Sequence, residues 1–302
     1  MEKGLVSVVI STRNEAKNIR ECIASVRCQS YKSVEIIVVD NYSTDGTFEI
    51  AKALADVVVS AGPERARQRN IGLFDHSSGE YFCYLDADMV CSTELLREAV
   101  EFSRCFDLSG VFFEEIMVGK TFLTKVRRLE RFLVAGTSID AIRFGRFEQL
   151  IASGGFDECL PPGTEDWDFS RRFQQFGSVG LLPHKSSLTE CIAVNNTQSV
   201  IDTFPTYVGI FHNEEEISFA RLAGKKRYYS ESVVQYQKKW GKTDSLVKFQ
   251  LGILPRLFLN NFRSPRRRLL VQHPLLGASS TFLRLALGIN HLISRLFRNR
   301  RN

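Results

Sequence analysis

The chain has 302 residues, 44% of them hydrophobic and 25% charged, enough to bury a globular core and too apolar for disorder to be the default. Its formal charge of +6 is unevenly placed: Ser245 to Asn302 holds eleven Lys or Arg and no Asp or Glu, leaving 29 basic residues against all 34 acidic ones in 1–244. The seven cysteines are odd in number and scattered without a Cys-x-x-Cys pair, which argues for a reducing compartment and against structural zinc, and no run of 18 uncharged apolar residues offers a spanning helix.

Met1-Glu2-Lys3-Gly4 runs into an apolar stretch that ends at Ser11, too brief for a signal segment, so the chain is expected to stay in the cytoplasm. Val6–Ser11 and Val34–Asp40 are short apolar runs rich in β-branched residues, the pattern of strands buried on both faces of a parallel sheet. Between them Ile19, Cys22, Ile23 and Val26 recur at helical spacing and predict a helix covering that sheet. A turn-rich segment Asn41–Thr47 follows, then a short helix to Leu54, a strand at Val57–Ser60, a helix near Glu64–Asp75 and a strand Tyr81–Leu85 ending in Asp86. Strands alternating with helices predict right-handed βαβ units, whose ligands sit beyond the carboxyl ends of the strands. Further on, Gly110–Val118 reads as a strand, Thr121–Ala135 and Thr164–Phe176 as helices, and Lys185–Tyr207 as a weakly periodic excursion. No internal repeat or low-complexity tract occurs.

The strand ends carry the chemistry. Thr12 and Glu15 follow the first strand and Asp40 closes the second; carboxylates there accept from the imide and hydroxyl donors of a nucleoside, although a cap at Asn14 and a turn at Thr44-Asp45-Gly46 explain the same residues. Asp86-Ala87-Asp88 at the end of the fourth strand offers oxygens to a hard divalent cation that also bridges a diphosphate. Glu165 and Asp166 open a helix, where the dipole favours acids, and either is also placed to serve as a general base toward an acceptor hydroxyl.

In order along the chain stand Ser11-Thr12-Arg13-Asn14-Glu15, Asp40-Asn41-Tyr42-Ser43-Thr44-Asp45-Gly46-Thr47, Arg69-Asn70-Ile71-Gly72, Gly79-Glu80-Tyr81 leading to Leu85-Asp86-Ala87-Asp88, Gly154-Gly155-Phe156-Asp157 and Thr164-Glu165-Asp166. Over roughly residues 5–180 this succession resembles family 2 glycosyltransferases. The resemblance implies a GT-A fold: an α/β, Rossmann-like, mostly parallel sheet flanked by helices. It implies a domain over 1–244, its nucleotide-binding half at about 5–120 and its acceptor half at 121–244. Thr12, Glu15 and Asp40 would hold base and ribose, Asp86 the ribose or the metal-bound diphosphate, and Asp88 the metal, Mn²⁺ or Mg²⁺, with Asp86 and His212 as further ligands. Asp166, or its neighbour Glu165, would be the base of an inverting displacement. Arg67 and Arg69 would face the phosphates or cap a uracil pocket, making a UDP-sugar the favoured donor, and Lys225, Lys226 and Arg227 would bind a phosphate of donor or acceptor. The chain lacks the transmembrane helices and Gln-x-x-Arg-Trp motif of the processive cellulose-synthase type.

The segment 245–302 reads as a helical, basic appendage. From Ser279 to Arg298, Phe282, Leu285, Ile289, Leu292 and Leu296 fall on one stripe and Arg284, Gly288, His291, Arg295 and Arg298 on the opposite one. With Arg266-Arg267-Arg268 and Arg298–Arg301 flanking it, this pattern suits peripheral attachment to an anionic membrane, on the inner face of the cytoplasmic membrane, and a lipid-linked acceptor. Two rivals share some features. A nucleotidyltransferase would carry a Gly-rich loop after the first strand, where Ser11–Glu15 has no glycine; an idle scaffold would tolerate loss of Asp86, Asp88 and Asp166, all present. The basic tail lacks the aromatic interleaving of a nucleic-acid platform.

Overall fold

The computed structural model describes residues 1–183, 191–192, 207–214, 217–255, 264 and 266–299, with side chains to Asn290. Its core is a seven-stranded sheet in the order β3-β2-β1-β4-β8-β6-β9, built from β1 (Glu2–Thr12), β2 (Val34–Asp40), β3 (Val57–Ser60), β4 (Gly79–Asp86), β6 (Gly110–Phe112), β8 (Ile142–Arg146) and β9 (Val179–Leu181). The first four strands run parallel, with Val6 to Thr12 in register with Val34 to Asp40, while β8 lies antiparallel between β4 and β6.

The period of two in β1 and β2 divides their side chains between the sheet's two faces. Val8, Ile10, Ile36 and Val38 pack under α1 (Ile19–Arg27), whose Ile19, Cys22, Ile23 and Val26 are buried as their spacing predicts. Val9, Ile37 and Val39 face the other way, toward α3 (Arg65–Asn70) and the π-helical turn Ile71–Asp75 that continues it. Gly72 in that turn is obligatory, because a Cβ there would come within 2.4 Å of Val9 Cγ1. α2 (Thr47–Lys52) and α4 (Leu95–Cys105) complete this half.

The expected strand Gly110–Val118 is two strands. It breaks at Phe113 and Glu114, so that β6 stays in the large sheet while β7 (Glu115–Val118) joins β5 (Met89–Cys91) and β10 (Ile210–Asn213) in a second sheet of order β5-β10-β7. α5 (Phe122–Val134) covers the second sheet, with Thr121 capping it through Thr124 N. α6 (Phe147–Ser153) and α7 (Glu165–Phe173) cover the large one. The remaining helices are α8 (Phe219–Tyr228), α9 (Ser230–Trp240), α10 (Ser245–Leu251), α11 (Arg268–Gln272) and α12 (Pro274–Asn299). The excursion expected over Lys185–Tyr207 lies almost wholly outside the described residues.

The C-terminal helices are less separable than their composition suggests. Leu269, Leu276 and Leu283 share a core with Leu129, Phe132 and Leu133 of α5. Arg284, expected on the solvent side, donates to buried Glu130 at 2.8 Å, and Arg266 pairs with fully buried Glu114. A buried carboxylate needs its cation, so the chain turns these arginines inward. Phe282, Leu285 and Ile289 are left exposed in consequence. Among the described residues no helix is long and apolar enough to cross a membrane.

Candidate active site

The site lies at the carboxyl ends of β1, β2 and β4, where a parallel sheet leaves polar loop residues uncovered. The loops after β1 and β2 are tied together: Asn14 N donates to Ser43 Oγ at 2.7 Å, Thr44 N to Asn14 Oδ1 at 2.9 Å and Glu15 N to Thr47 Oγ1 at 2.8 Å. Within this clamp the hydroxyls of Ser11 and Thr12 are buried without a hydrogen-bond partner among the described residues, the mark of a group awaiting a ligand. Glu15 faces Asp88 and Arg221, and burial foremost raises its carboxyl above the usual range. Asp40 is used differently from expectation. Both its oxygens accept from Ser43, from the backbone N at 2.8 Å and the hydroxyl at 2.5 Å, so it braces the loop.

Helix α3 supplies the centre. Arg65 and Arg69, one turn apart, point inward, whereas Arg67 between them is exposed on the outer face. Arg69 is fully buried, beneath Tyr84 and Phe156, and bridges two acids: Nη2 to Asp86 Oδ1 at 2.9 Å and Nη1 to Asp166 Oδ1 at 2.7 Å. Asp86 directs its other oxygen to Arg143 at 3.7 Å and Arg65 at 3.8 Å. Burial works to raise the Asp86 carboxyl, but these three guanidinium groups hold it far below the ordinary range. With its charge already balanced, Asp86 is poorly suited to the direct metal ligation expected of it.

Asp88 lies two residues beyond β4, in the turn before β5, where its Oδ2 meets His212 Nε2 at 3.2 Å. The other ring nitrogen of His212 meets Glu115 Oε2 at 3.4 Å, and Glu115 is fixed by Arg143 at 2.7 Å and Arg131 at 2.9 Å. Burial lowers the imidazole's affinity for a proton, yet the two carboxylates outweigh it and push His212 up to about 10. Among the described residues no group of three or more His, Cys, Asp or Glu is arranged to hold a metal. A pair suffices for Mg²⁺ or Mn²⁺ when substrate phosphate oxygens and water complete the shell, but only a neutral His212 can ligate, so a cation at Asp88 and His212 would have to displace the imidazole proton that the two carboxylates hold.

Across the cleft, α7 presents its first turn. Thr164 is locked to Ser232 of α9, Oγ to Oγ at 2.6 Å, which fixes the residues that follow. Glu165 is wholly buried: Oε1 accepts from Arg65 at 2.5 and 2.9 Å and Oε2 from Gly163 N at 2.5 Å. Asp166 accepts from Arg69 and from Tyr84 Oη at 3.0 Å through Oδ1 alone, and no hydrogen bond ends on Oδ2 among the described residues. Burial tends to raise its carboxyl, but Arg69, Arg65 and Arg143 prevail and lower it.

The basic run of α8 is divided. Lys225 is exposed on the side felt by Asp88, Lys226 turns toward Gly288 of α12, and Arg227 is exposed at the helix end. The structure thus gathers Thr12, Glu15, Arg69, Asp86, Asp88, His212, Asp166 and Lys225, and leaves Arg67, Lys226 and Arg227 apart. It adds Arg65, Tyr84, Glu115 and Arg143. Arg65 is legible as the residue four before Arg69, and Arg143 and Glu115 as charges inside apolar strands.

The family model for glycosyl transferase family 2 matches residues 7–145. An uncharacterized glycosyltransferase of Haemophilus influenzae is 30% identical over 235 residues, which cover 68% of this chain and 89% of that protein. The chain belongs to glycosyltransferase family 2. The glycosyltransferase AglE of Haloferax volcanii is 37% identical over 104 residues, 32% of this chain, and the match spans only 34% of AglE. Among solved structures, the mannosyltransferase PcManGT from Pyrobaculum calidifontis, in complex with GDP-Man and Mn²⁺, superposes with a TM-score of 0.56 at 18% identity over 95% of this chain and 86% of that one. That likeness shows the fold: the seven-stranded sheet and its flanking helices are those of a GT-A glycosyltransferase.

Proposed function

We propose that this family 2 enzyme is a cation-dependent, inverting glycosyltransferase that moves a sugar from a nucleoside diphosphate to a lipid-linked acceptor at the inner face of the cytoplasmic membrane. The observation that supports the transfer reading is the Arg69 bridge, which holds Asp86 and Asp166 on one guanidinium group, the former serving the donor and the latter the acceptor in this reading. Catalysis by such a site rests on alignment and on charges placed in advance.

In the proposed reaction Asp166 Oδ2 takes the proton of the acceptor hydroxyl. The freed oxygen pair attacks the anomeric carbon as the bond to the nucleoside diphosphate breaks on the opposite face, and the sugar inverts. Thr12 and Glu15 position the nucleoside, and Lys225 stands by to donate to the phosphate end. A cation held by Asp88 and His212 would supply charge neutralisation on the leaving diphosphate. Glu165, with both oxygens engaged, positions Arg65 and is not the base. Arg67 is exposed and Arg69 is held between Asp86 and Asp166, so neither favours a uracil pocket and the base of the donor stays open between uridine and guanosine.

Membrane attachment is supported by α12, whose arginine side is docked and whose Phe282, Leu285 and Ile289 face outward. The pattern expected for Leu292, His291, Arg295, Leu296 and Arg298–Arg301 falls on side chains outside the described residues. The deciding experiment offers the protein a panel of uridine and guanosine diphosphate sugars with Mn²⁺ or Mg²⁺ and measures release of the nucleoside diphosphate. Metal-dependent hydrolysis of one donor is expected; a panel left intact in both metals would refute the reading.

A further inference from the structure

Helices α5, α8 and α12 meet around an apolar groove of about 210 Å³ that the catalytic reading does not use. Its lining includes Phe122, Leu123 and Val126 of α5, Phe219 of α8, and Phe282 and Leu283 of α12. Three phenylalanines from three helices stand at its mouth, exposed by 52% (Phe122), 42% (Phe219) and 73% (Phe282). Soluble surfaces seldom gather exposed aromatic side chains from separate elements without a ligand or partner for them.

The shape selects the occupant. A partner helix is roughly 10 Å across and can enter a groove of this volume only by its side chains, whereas a single hydrocarbon chain can lie within it. At about 30 Å³ for a water-sized group, the space admits roughly seven such groups, a length of single hydrocarbon chain. The surroundings agree. Leu275, Ala278, Phe282, Leu285 and Ile289 form an exposed stripe along α12 that is continuous with the groove, and 245–302, with no acidic residue, holds nine basic residues besides the inward-turned Arg266 and Arg284, as suits an anionic lipid surface. α8 then joins the groove to the site. Phe219 opens the helix and Lys225, which acts on Asp88, lies six residues on, roughly 9 Å at 1.5 Å per residue.

We propose that this groove holds the hydrocarbon chain of the acceptor lipid, with the head group directed along α8 past Lys225 into the cleft that Asp166 faces. The inference rests on the transfer reading for its head group but on the groove alone for its chain. Chain length therefore sets acceptor affinity, and Phe219 and Phe282 set the selectivity for it.

The test uses the full chain and three probes that share a head group: methyl, geranyl and farnesyl phosphate, titrated by calorimetry below their aggregation limits. Affinity is expected to rise with chain length in the intact protein. Phe219→Ser and Phe282→Ser, both at exposed positions and so safe for folding, are expected to weaken farnesyl phosphate binding about 10-fold or more while leaving methyl phosphate and donor hydrolysis unchanged. Phe282→Leu should restore most of the loss. Equal binding of all three phosphates, or a length dependence that survives both substitutions, overturns the groove. If Phe282→Ser abolishes sedimentation with anionic vesicles yet keeps the length dependence, the side chain contacts the bilayer instead and the proposal falls. Should no sugar nucleotide be hydrolysed while the length dependence holds, the transfer reading fails and the chain-binding groove remains.

Discussion

Replacing Asp166 by Asn separates the chemistry of the first turn of α7 from its structural role. The amide keeps the size of the carboxylate and still accepts from Arg69 Nη1 and Tyr84 Oη, now at 2.7 and 3.0 Å, but its other terminus cannot take a proton. Loss of a positioned base costs about two to four orders of magnitude, so nucleoside diphosphate release should fall by that factor, roughly 3–5 kcal/mol of barrier. Stability should change little. One charge-assisted hydrogen bond becomes a neutral one, about 1 kcal/mol, and Arg69 keeps Asp86 at 2.9 Å. Glu165→Gln should do the reverse, because it takes from Arg65 its closest ion pair, leaving the 3.8 Å approach to Asp86, and weakens the tie to Gly163 N, lowering the urea midpoint more than Asp166→Asn does. The assay is turnover of the donor chosen by the hydrolysis panel, with donor Kd by calorimetry and denaturation of each variant. Asp166→Asn turning over within ten-fold of the native chain while a folded Glu165→Gln is dead would move the base by one residue and refute the argument from open oxygens.

Other outcomes follow from the same geometry. Asp88→Ala and His212→Ala should each abolish Mn²⁺-dependent tightening of nucleoside diphosphate binding, and excess chelator should reproduce the effect on the native chain; tightening that persists in either variant would exclude that residue as a ligand. Arg69→Met strips a buried cation from Asp86 and Asp166 and should cost about 3–5 kcal/mol in chemical denaturation. The lowered carboxyl of Asp166 means the base stays deprotonated into acid, so the acid limb of kcat/KM should lie below the ordinary carboxylate range and move up in a folded Arg69→Lys variant; an unmoved limb would assign it to another group. Asp86 is likewise depressed, so the stability it contributes is present above the ordinary carboxylate range and is lost as pH falls. Gly72→Ala drives a methyl into Val9 and should destabilise by about 1–3 kcal/mol without altering donor Kd in the folded fraction.

The first half of the fold is legible because local signals and tertiary demands coincide there. Val6–Ser11 and Val34–Asp40 are apolar on both faces, interrupted within only by Ser7 and Glu35, since both faces are covered, and the helical spacing from Ile19 to Val26 matches its buried stripe. Legibility fails where partners are distant in sequence. Nothing local marks the break at Phe113 and Glu114; it is imposed by β10, some hundred residues later, recruiting β7. Arg67 and Arg69 look alike as letters, and only the direction of the α3 axis decides that Arg69 and Arg65 enter the site. The packing of the tail is hidden for the same reason. An Arg opposite an apolar stripe implies solvent unless a buried carboxylate awaits it, and Glu130 and Glu114 are invisible as partners until α5 and β7 are placed. Removing α11 and α12 is thus expected to unfold the neighbourhood of Leu129 and Phe132, read as a lowered Tm, where composition alone suggests a detachable anchor.

Asp86 and Asp88 stand one residue apart yet belong to different sheets. Asp86 ends β4 in the seven-stranded sheet, while Asp88 leads into β5, its carbonyl accepting from Asn213 N at 2.9 Å at the head of the small sheet. Ala87 is accordingly a seam between two bodies, and the same seam is crossed a second time where β6 passes into β7. Any rocking of the small sheet against the large one is read out as a change in the gap between an arginine-clamped carboxylate and the carboxylate beside His212. Ala87 alone joins the two carboxylates, so an insertion of one residue there would uncouple the donor and cation roles proposed for Asp86 and Asp88 even with every side chain of the site retained.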